Sequence, residues 1–270
     1  MPSPDPGGSI EVADVTKAFE LPTGRLEALA GVSFSVPAEE FVTIIGPSGC
    51  GKSTLLRILA DIYHPTSGAV AIGGQSPREA RRRRELGVVF QDPTLFPWRD
   101  VLGNVLLPLK IAGRLNAETR KEARDLLELV GLSGFEKARP DQLSGGMKQR
   151  AAIARSLVLG PKVLLLDEPF GALDEITRQR MNLELLRIWG ESRTTAVLIT
   201  HSLSEAVFLS DRILVMSARP GRIVEEIAVD LPRPRTPEMV REQRFFDTLN
   251  VVGKVLYDSV GADAMVAAEL

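Results

Sequence analysis

The feature that most constrains the fold is a continuously apolar, β-branched run that leads directly into a glycine-rich segment. Phe41–Ile45 (FVTII) has the composition of a strand buried on both faces. Gly46–Thr54 (GPSGCGKST) follows it without a break, and a helical pattern (LLRILADI) begins at Leu55. Strand, glycine-rich loop and helix in this order are typical of the first unit of an α/β phosphate-binding fold.

The glycine-rich segment fits the pattern G-x-x-x-x-G-K-[S/T]. Glycines let backbone N–H groups surround a phosphate, and the N-terminus of the following helix favours an anion. We expect Lys52 to reach the β- and γ-phosphates and the Ser53 hydroxyl to coordinate Mg²⁺. A plain glycine-rich turn is the alternative, which the flanking strand and helix disfavour. The residues predicted to bind the nucleotide here are Gly46, Pro47, Ser48, Gly49, Cys50, Gly51, Lys52, Ser53 and Thr54.

Cys50, inside this loop, is the only cysteine of the chain. A thiol at a helix N-terminus can become a reactive thiolate. No second catalytic group is paired with it in the sequence, so we expect Cys50 to fill the loop. A single cysteine also excludes an internal disulfide framework and suits a reducing compartment.

Other strand-like runs and one helical region complete the pattern. Buried-strand patterns are predicted at 10–15, 32–36, 87–90, 163–166, 195–199 and 213–216, and an antiparallel edge strand is expected in RIVEEIAV. Residues 101–159 have a helical pattern, in which Ala123, Leu126, Leu127 and Val130 share one face and Gly131 ends the helix. A mostly parallel α/β sheet with a helical insertion is therefore expected.

The two ends of the chain differ in composition from the rest. Residues 1–9 are rich in Pro, Gly and Ser, and we expect a flexible tail. After Leu231 the run PRPRTP interrupts regular structure, and residues 231–270 read as a short extension with a short helix and a frayed end. The N-terminus lacks a signal-peptide pattern, and no run approaches the roughly 18 apolar residues of a membrane span. We therefore expect any membrane role to depend on a partner.

The net charge of the chain argues against two classes of polyanionic partner. At −2, it provides no global basic field that would attract nucleic acid or an anionic bilayer. The four arginines of residues 81–84 are more typical of a solvated face than of a binding patch.

Two acids follow the buried run VLLL. Asp167 and Glu168 (LLLDEP) would lie at the carboxyl end of a parallel strand, which faces the ligand crevice in such folds. Asp167 can hold Mg²⁺, and Glu168 can orient and deprotonate an attacking water. A helix-capping acid pair is the alternative, and the phosphate loop makes it the weaker one.

A second anion-binding pattern occurs without a lysine of its own. Leu143, Ser144, Gly145, Gly146 and Met147 precede an evident helix, and a serine with two glycines at a helix start can bind an anion. Alone, this run would be interpreted as a helix cap and a turn. Because the chain already has a complete phosphate loop, a second anion-binding helix start without a lysine requires another explanation.

LSGGM, with KQR after it, resembles the signature of ATP-binding cassette (ABC) proteins. The other family elements occur in the family's order: GPSGCGKST, Gln91, LSGGM, LLLDEP, ALD (172–174) and His201. The resemblance covers about residues 10–230 and implies a RecA-like P-loop NTPase with an antiparallel β subdomain and an inserted α-helical subdomain at about 92–159. It also implies a homodimer, in which the signature of one copy closes over ATP held by the other.

The resemblance implies roles for single residues. Gln91 resembles the glutamine that contacts Mg²⁺ and the attacking water, and His201 resembles the switch histidine at the γ-phosphate. Asp174 resembles the acid that crosses the dimer interface, and Phe19 resembles the aromatic residue that stacks on adenine. A strand-end histidine and a core phenylalanine are the alternatives for His201 and Phe19. The implied catalytic set is thus Glu168, His201, Gln91 and Lys52, with Ser53, Gln91 and Asp167 around Mg²⁺.

One departure from the common family pattern and one further resemblance indicate a subgroup. Met147 stands where the signature commonly has Gln, and FPWRDVLGNV contains a Pro-Trp pair; both resemble nitrate, sulfonate, taurine and bicarbonate importers. Leu95, Phe96 and Trp98 are expected to form a groove for a helix of a transmembrane permease; local core is the alternative.

This subgroup implies a machine with several components. The chain would lie peripherally on the cytoplasmic face of the bacterial inner membrane, and a periplasmic solute-binding protein would act through the permease. The segment after Leu231 is too short for the regulatory domain of sugar-importer relatives. The alternatives are another importer substrate class, an exporter, a nucleic-acid-dependent ABC ATPase and a small-molecule kinase; no nucleic acid is expected.

Overall fold

The computed structural model describes residues 7–22, 24–171 and 173–268. The strands, in chain order, are β1 (Ile10–Leu21), β2 (Gly24–Val36), β3 (Phe41–Ile45), β4 (Ser67–Ile72), β5 (Leu86–Val89), β6 (Val163–Asp167), β7 (Thr195–Ile199), β8 (Arg212–Met216) and β9 (Ile223–Ala228). The α-helices are α1 (Lys52–Leu59), α2 (Pro77–Arg82), α3 (Val101–Val105), α4 (Leu107–Ile111), α5 (Ala117–Leu129), α6 (Gly145–Leu157), α7 (Glu175–Ser192), α8 (Leu203–Leu209) and α9 (Gln243–Ala268). The chain divides into two compact units, one from residues 1–83 and 195–270 and the other from residues 84–194.

The first unit contains a parallel sheet around β3. All five residues of β3 are buried, as its composition predicts, and β3 pairs in parallel with β7 and β8. β9 pairs antiparallel with β8, which confirms the predicted edge strand. Because β3 and β7 are parallel neighbours, the loops that follow them lie at the same edge of the sheet.

The same unit contains an antiparallel sheet in the order β2-β1-β4. β1 and β2 are longer than the short runs predicted for them, since their pairing continues from Ile10↔Val36 to Leu21↔Gly24. The sequence analysis missed β4, whose residues SGAVAI are small and largely exposed or half-buried. Such a strand lacks the large apolar alternation that indicates a strand in a sequence.

The second unit combines the parallel pair β5–β6 with the helical region. Helix α5 buries Ala123 and Leu127, with Leu126 half-buried, and its C-cap Val130 is also buried. Gly131 follows this cap at φ 65°. A left-handed glycine just after a helix is the usual terminator, so this prediction is confirmed.

The two chain ends differ in what can be described. Residues 1–6 lie outside the described residues, and the Ser9 carbonyl accepts a hydrogen bond from Gly73 N at 2.8 Å. Helix α9 has 26 residues, so the short helix predicted for the C-terminal extension is wrong in length.

Within the described residues, every helix is too short or too polar to serve as a membrane span. The α/β class, with mostly parallel strands and a separate antiparallel sheet, is as predicted.

Candidate nucleotide-binding and catalytic site

The phosphate loop between β3 and α1 requires its glycines. Gly49 (φ 76°) and Gly51 (φ 109°) lie in the left-handed region, and a Cβ on Gly51 would come within 2.7 Å of the Ala28 carbonyl oxygen. Lys52 is only 6% exposed, and its Nζ donates to the carbonyl oxygens of Gly46 (2.8 Å) and Pro47 (2.9 Å). The cation therefore lies within the turn that the glycines make possible.

Cys50 is a buried residue of the loop, and burial raises the pKa of its thiol above the ordinary value. Nearby Lys52 acts in the opposite direction but does not outweigh the loss of solvation. An activated thiolate would need a lowered pKa, so the thiol stays protonated near neutral pH.

We therefore predict that Cys50→Ser keeps ATP hydrolysis within about twofold of the unchanged chain, because the side chain only fills space. Steady-state phosphate release measures this. Iodoacetamide labelling of the folded protein at pH 7.5 should also be much slower than labelling of the unfolded chain. A large loss of turnover, or fast labelling, would assign Cys50 a chemical role.

An arginine that the sequence analysis missed also contacts the phosphate loop. Arg219 Nε and Nη2 donate to the Gly49 carbonyl oxygen at 3.1 and 3.0 Å. The neighbouring Gly221 leaves no space for a side chain, since a Cβ there would come within 2.1 Å of the Cys50 oxygen. No local pattern marks these residues, because their role depends on the loop after β8 packing against a loop 170 residues earlier.

His201 follows β7, the parallel neighbour of β3. Thr200 N donates to the Ile44 carbonyl oxygen at 3.4 Å, so the chain before His201 is joined to the strand that leads into the phosphate loop. His201 itself is exposed. The structure thus places the predicted switch histidine and the phosphate loop at one sheet edge of the first unit.

Phe19 lies in β1 and is half-buried. Its ring meets Tyr63 edge-on, with a centroid distance of 5.6 Å, and Lys17 Nζ lies 5.1 Å from the ring centroid. Phe19 is therefore neither a fully buried core residue nor an isolated surface ring. Its role toward adenine stays a prediction.

The second unit brings the predicted acids and the glutamine together. Asp167 ends β6 and is 5% exposed, and Glu168 follows it with φ 45°, which is left-handed backbone for a residue with a Cβ. Gln91 Nε2 lies 3.5 Å from Glu168 Oε2. Strained backbone of this kind costs about 1–3 kcal/mol and concentrates at functional sites. The Glu168 carboxylate therefore lies beside Gln91. Both residues were predicted from the sequence to contact the attacking water.

The predicted magnesium ligands are suitable for that ion. Ser53 provides a hydroxyl, Gln91 an amide oxygen and Asp167 a carboxylate, and Mg²⁺ prefers oxygen ligands of this kind while keeping part of its water shell. Asp167 is only 5% exposed and is the last residue of β6, so its carboxylate lies at the end of a buried strand.

The signature run forms the N-terminus of α6. Ser144 is the N-cap, and its Oγ accepts from Met147 N at 3.3 Å. Ser144 and Gly145 are exposed, and a Cβ on Gly145 would meet nothing closer than Leu173 Cδ2 at 4.0 Å. The chain's own packing therefore does not require glycine there. An open glycine at a helix N-terminus allows the close approach of an anion from outside.

Asp174 is the N-cap of α7. Its two carboxylate oxygens accept from Thr177 N (3.0 Å) and Thr177 Oγ1 (2.7 Å), and these bonds hold the pKa of Asp174 below its ordinary value. Asp174 is exposed, and Ala172 lies outside the described residues. The contact with a second copy stays a prediction.

The predicted groove residues after Gln91 differ in exposure. Trp98 is 69% exposed, whereas Leu95 and Phe96 are half-buried, and the rings of Phe96 and Trp98 lie 5.2 Å apart. Buried Asn104 fixes this loop by accepting from Phe96 N (2.7 Å) and donating to the Phe96 oxygen (3.2 Å). An exposed aromatic on a fixed loop fits a binding surface better than local core.

Two side chains of α6, also missed in the sequence analysis, hold the segment around Gln91. Buried Gln149 donates to the Phe90 carbonyl oxygen (3.3 Å), and Arg155 donates to the carbonyl oxygens of Pro93 (2.8 Å) and Thr94 (2.9 Å). The helix that begins at the signature serine is therefore joined to both sides of Gln91. Helical spacing alone gives no sign of these partners.

Comparison with known proteins identifies the family. The profile of the ABC transporter family matches residues 29–171. An uncharacterised ABC transporter ATP-binding protein of Methanocaldococcus jannaschii is 49% identical over 226 residues, covering 84% of each chain. The aliphatic sulfonates import ATP-binding protein SsuB of Bacillus cereus is 42% identical (84% of this chain, 89% of the relative), and the nitrate import ATP-binding protein NrtD of Synechocystis is 43% identical (92% and 94%).

Solved structures agree with this result. The ATP-binding cassette MJ0796, in a dimeric post-hydrolysis state bound to ADP and Pi, matches with a TM-score of 0.72 and 33% identity, covering 83% of this chain and all of that one. A second dimeric structure of the same cassette matches with a TM-score of 0.73 and 35% identity, with the same coverage. The chain belongs to the ABC transporter family and is an ATP-binding subunit with ABC-type ATPase activity.

Proposed function

We propose that two copies of this chain associate head-to-tail around two ATP molecules, each held by the phosphate loop of one copy and the signature of the other. The observation that carries the proposal is the open end of α6. Ser144 and Gly145 are exposed, and no internal contact requires the glycine. The N-terminus of α6 has no lysine of its own to bind a phosphate. A second copy would supply Lys52 and its phosphate loop. The dimeric structures of MJ0796 support this arrangement.

Within each shared site, Lys52 binds the β- and γ-phosphates and Glu168 deprotonates the attacking water. Gln91 orients that water, and His201 contacts the γ-phosphate. Ser53, Asp167 and Gln91 would hold Mg²⁺, which when bound would supply charge neutralisation on the phosphate oxygens.

Two further residues complete the proposed site. Phe19 stacks on adenine, with Tyr63 against the ring edge to fix its orientation. Asp174 approaches the partner copy from the start of α7, where its bonds to Thr177 keep it ionised.

The cassette acts in an importer, on the cytoplasmic face of the membrane. The support is the similarity to SsuB and NrtD, which are named for the import of aliphatic sulfonates and nitrate. ATP binding closes the dimer and moves a bound permease, and hydrolysis reopens it. A periplasmic binding protein acts through that permease, and the cargo is a sulfonate or small oxyanion. Uptake of labelled sulfonate or nitrate by vesicles that contain the co-purified permease tests the cargo.

The permease contact gives a specific prediction. Trp98→Ala should leave the basal ATPase rate of the isolated chain within about twofold but lower permease-stimulated hydrolysis about tenfold or more, because a central aromatic anchor dominates a helix-in-groove contact. Ile111→Ala is the matched control, since Ile111 is 74% exposed in the same unit and lies outside the proposed groove. Equal stimulation of both variants would move the permease contact elsewhere.

A further inference from the structure

The C-terminal extension contacts helix α8 through two arginines. Arg235, only 7% exposed, donates from Nη2 to the Ser210 carbonyl oxygen (2.9 Å) and from Nη1 to the Val207 oxygen (3.5 Å). Arg233 Nη2 donates to the Leu209 oxygen at 2.8 Å. Val207 and Leu209 lie in the last turn of α8 and Ser210 is its C-cap. Carbonyls at this end of a helix lack partners within the helix, and cations are stabilised there.

Burial lowers the pKa of Arg235 to about 10, so the side chain stays charged at neutral pH. A buried cation is costly unless its site compensates it, and the α8 carbonyls are the compensation that the structure provides. The two arginines therefore form a clamp, here called the Arg233–Arg235 clamp, between the extension and the C-terminal end of α8.

The other end of α8 holds the segment that contains His201. Ser202 caps the helix, accepting from Glu205 N at 3.3 Å, and its own N–H donates to Thr200 Oγ1 at 3.0 Å. Thr200 Oγ1 in turn donates to the carboxylate of buried Glu205, which lies in the first turn of the helix. The residues on both sides of His201 are thus fixed by α8, a single rigid element of about 10 Å.

The clamp also holds α8 against the strand that leads to the phosphate loop. Arg233 Nε donates to Asp211 Oδ1 (2.7 Å), and Asp211 Oδ2 accepts from Phe41 N (2.9 Å), the first residue of β3. Ser210 and Thr43 of β3 share a hydrogen bond between their hydroxyls. Through Asp211 and Ser210, these contacts join the C-terminal end of α8 to the strand that leads into the phosphate loop.

We propose that Arg235 and Arg233 are positioning residues for His201, and that the C-terminal extension therefore serves ATP hydrolysis by holding α8 in place. The inference rests on the proposed contact of His201 with the γ-phosphate. The arginines do not touch the nucleotide; they act through one helix.

The test combines single variants with a double-mutant cycle in the full chain. Arg235→Met should lower kcat about tenfold while KM for ATP and the affinity for a non-hydrolysed ATP analogue stay within about twofold, because the phosphate loop is unchanged. Arg235→Lys, which keeps a cation at the helix end, should recover most of the rate. Arg244→Met, at an exposed arginine of α9, is the matched control and should be unaffected.

The cycle separates positioning from general stability. In a His201→Ala background, Arg235→Met should cause little further loss of kcat, because residues that act through one group are not additive. If Arg235→Met lowered kcat equally in the unchanged chain and in the His201→Ala background, the positioning role of the clamp would be overturned. Normal turnover of the His201→Ala single variant would instead overturn the proposed role of His201. Should Arg235→Met fail to fold, Arg233→Met at the half-exposed arginine is measured by the same criteria.

Discussion

Glu168→Gln is expected to reduce ATP hydrolysis at least about a hundredfold while ATP binding remains, because the amide cannot accept the proton of the attacking water. The substitution is nearly isosteric and keeps the Cβ, so the left-handed backbone at φ 45° and the 3.5 Å approach of Gln91 should persist. ATP should therefore accumulate in the closed state, and the purified protein should elute as a dimer when ATP and Mg²⁺ are present.

Phosphate release and size-exclusion chromatography with ATP measure the two effects. Glu128→Gln is the control, since Glu128 is an exposed glutamate on α5 in the same unit. A monomeric Glu168→Gln variant with turnover near that of the control would contradict the role of Glu168.

The second large effect is expected for Ser144→Arg, which should abolish hydrolysis and ATP-driven dimerisation without weakening ATP binding to the isolated chain. A bulky side chain at the exposed α6 N-terminus would block the approach of a phosphate held by another copy. The phosphate loop of the same copy lies in the other compact unit and keeps all its residues.

Loss of the cap itself must be separated from the loss of the anion site. Removing an N-cap costs about 1 kcal/mol, and Asn116→Arg at the exposed N-cap of α5 imposes the same kind of loss away from the site. That control should retain full activity. If Ser144→Arg only weakened ATP binding, the signature would belong to the nucleotide of its own copy.

The central motif could be predicted because local patterns determine it. All five residues of β3 are buried and four of them are apolar, and the glycines after it are required by left-handed backbone and by contact with Ala28. Chemistry that depends on residue type and spacing is visible in the sequence, as at Lys52 and at Ser144, which caps α6 as expected.

Features that depend on tertiary contacts could not be predicted. β4 contains small residues whose only indication of strand is pairing with β1, and α9 continues well beyond the short helix expected from its composition. Arg219, Gln149 and Arg235 bind backbone carbonyls that are remote in sequence, and a carbonyl has no sequence signature. Their roles become visible only when the fold has placed donor and acceptor together.

The most direct test of the shared site is a crystal structure of the Glu168→Gln variant with ATP and Mg²⁺. The distance to measure is that from Ser144 Oγ to the γ-phosphate oxygens of the ATP bound by Lys52 of the other copy. We predict a hydrogen bond of about 2.7–3.0 Å there. A closed complex in which every ligand of the γ-phosphate comes from a single copy, with Ser144 facing solvent, would contradict the account.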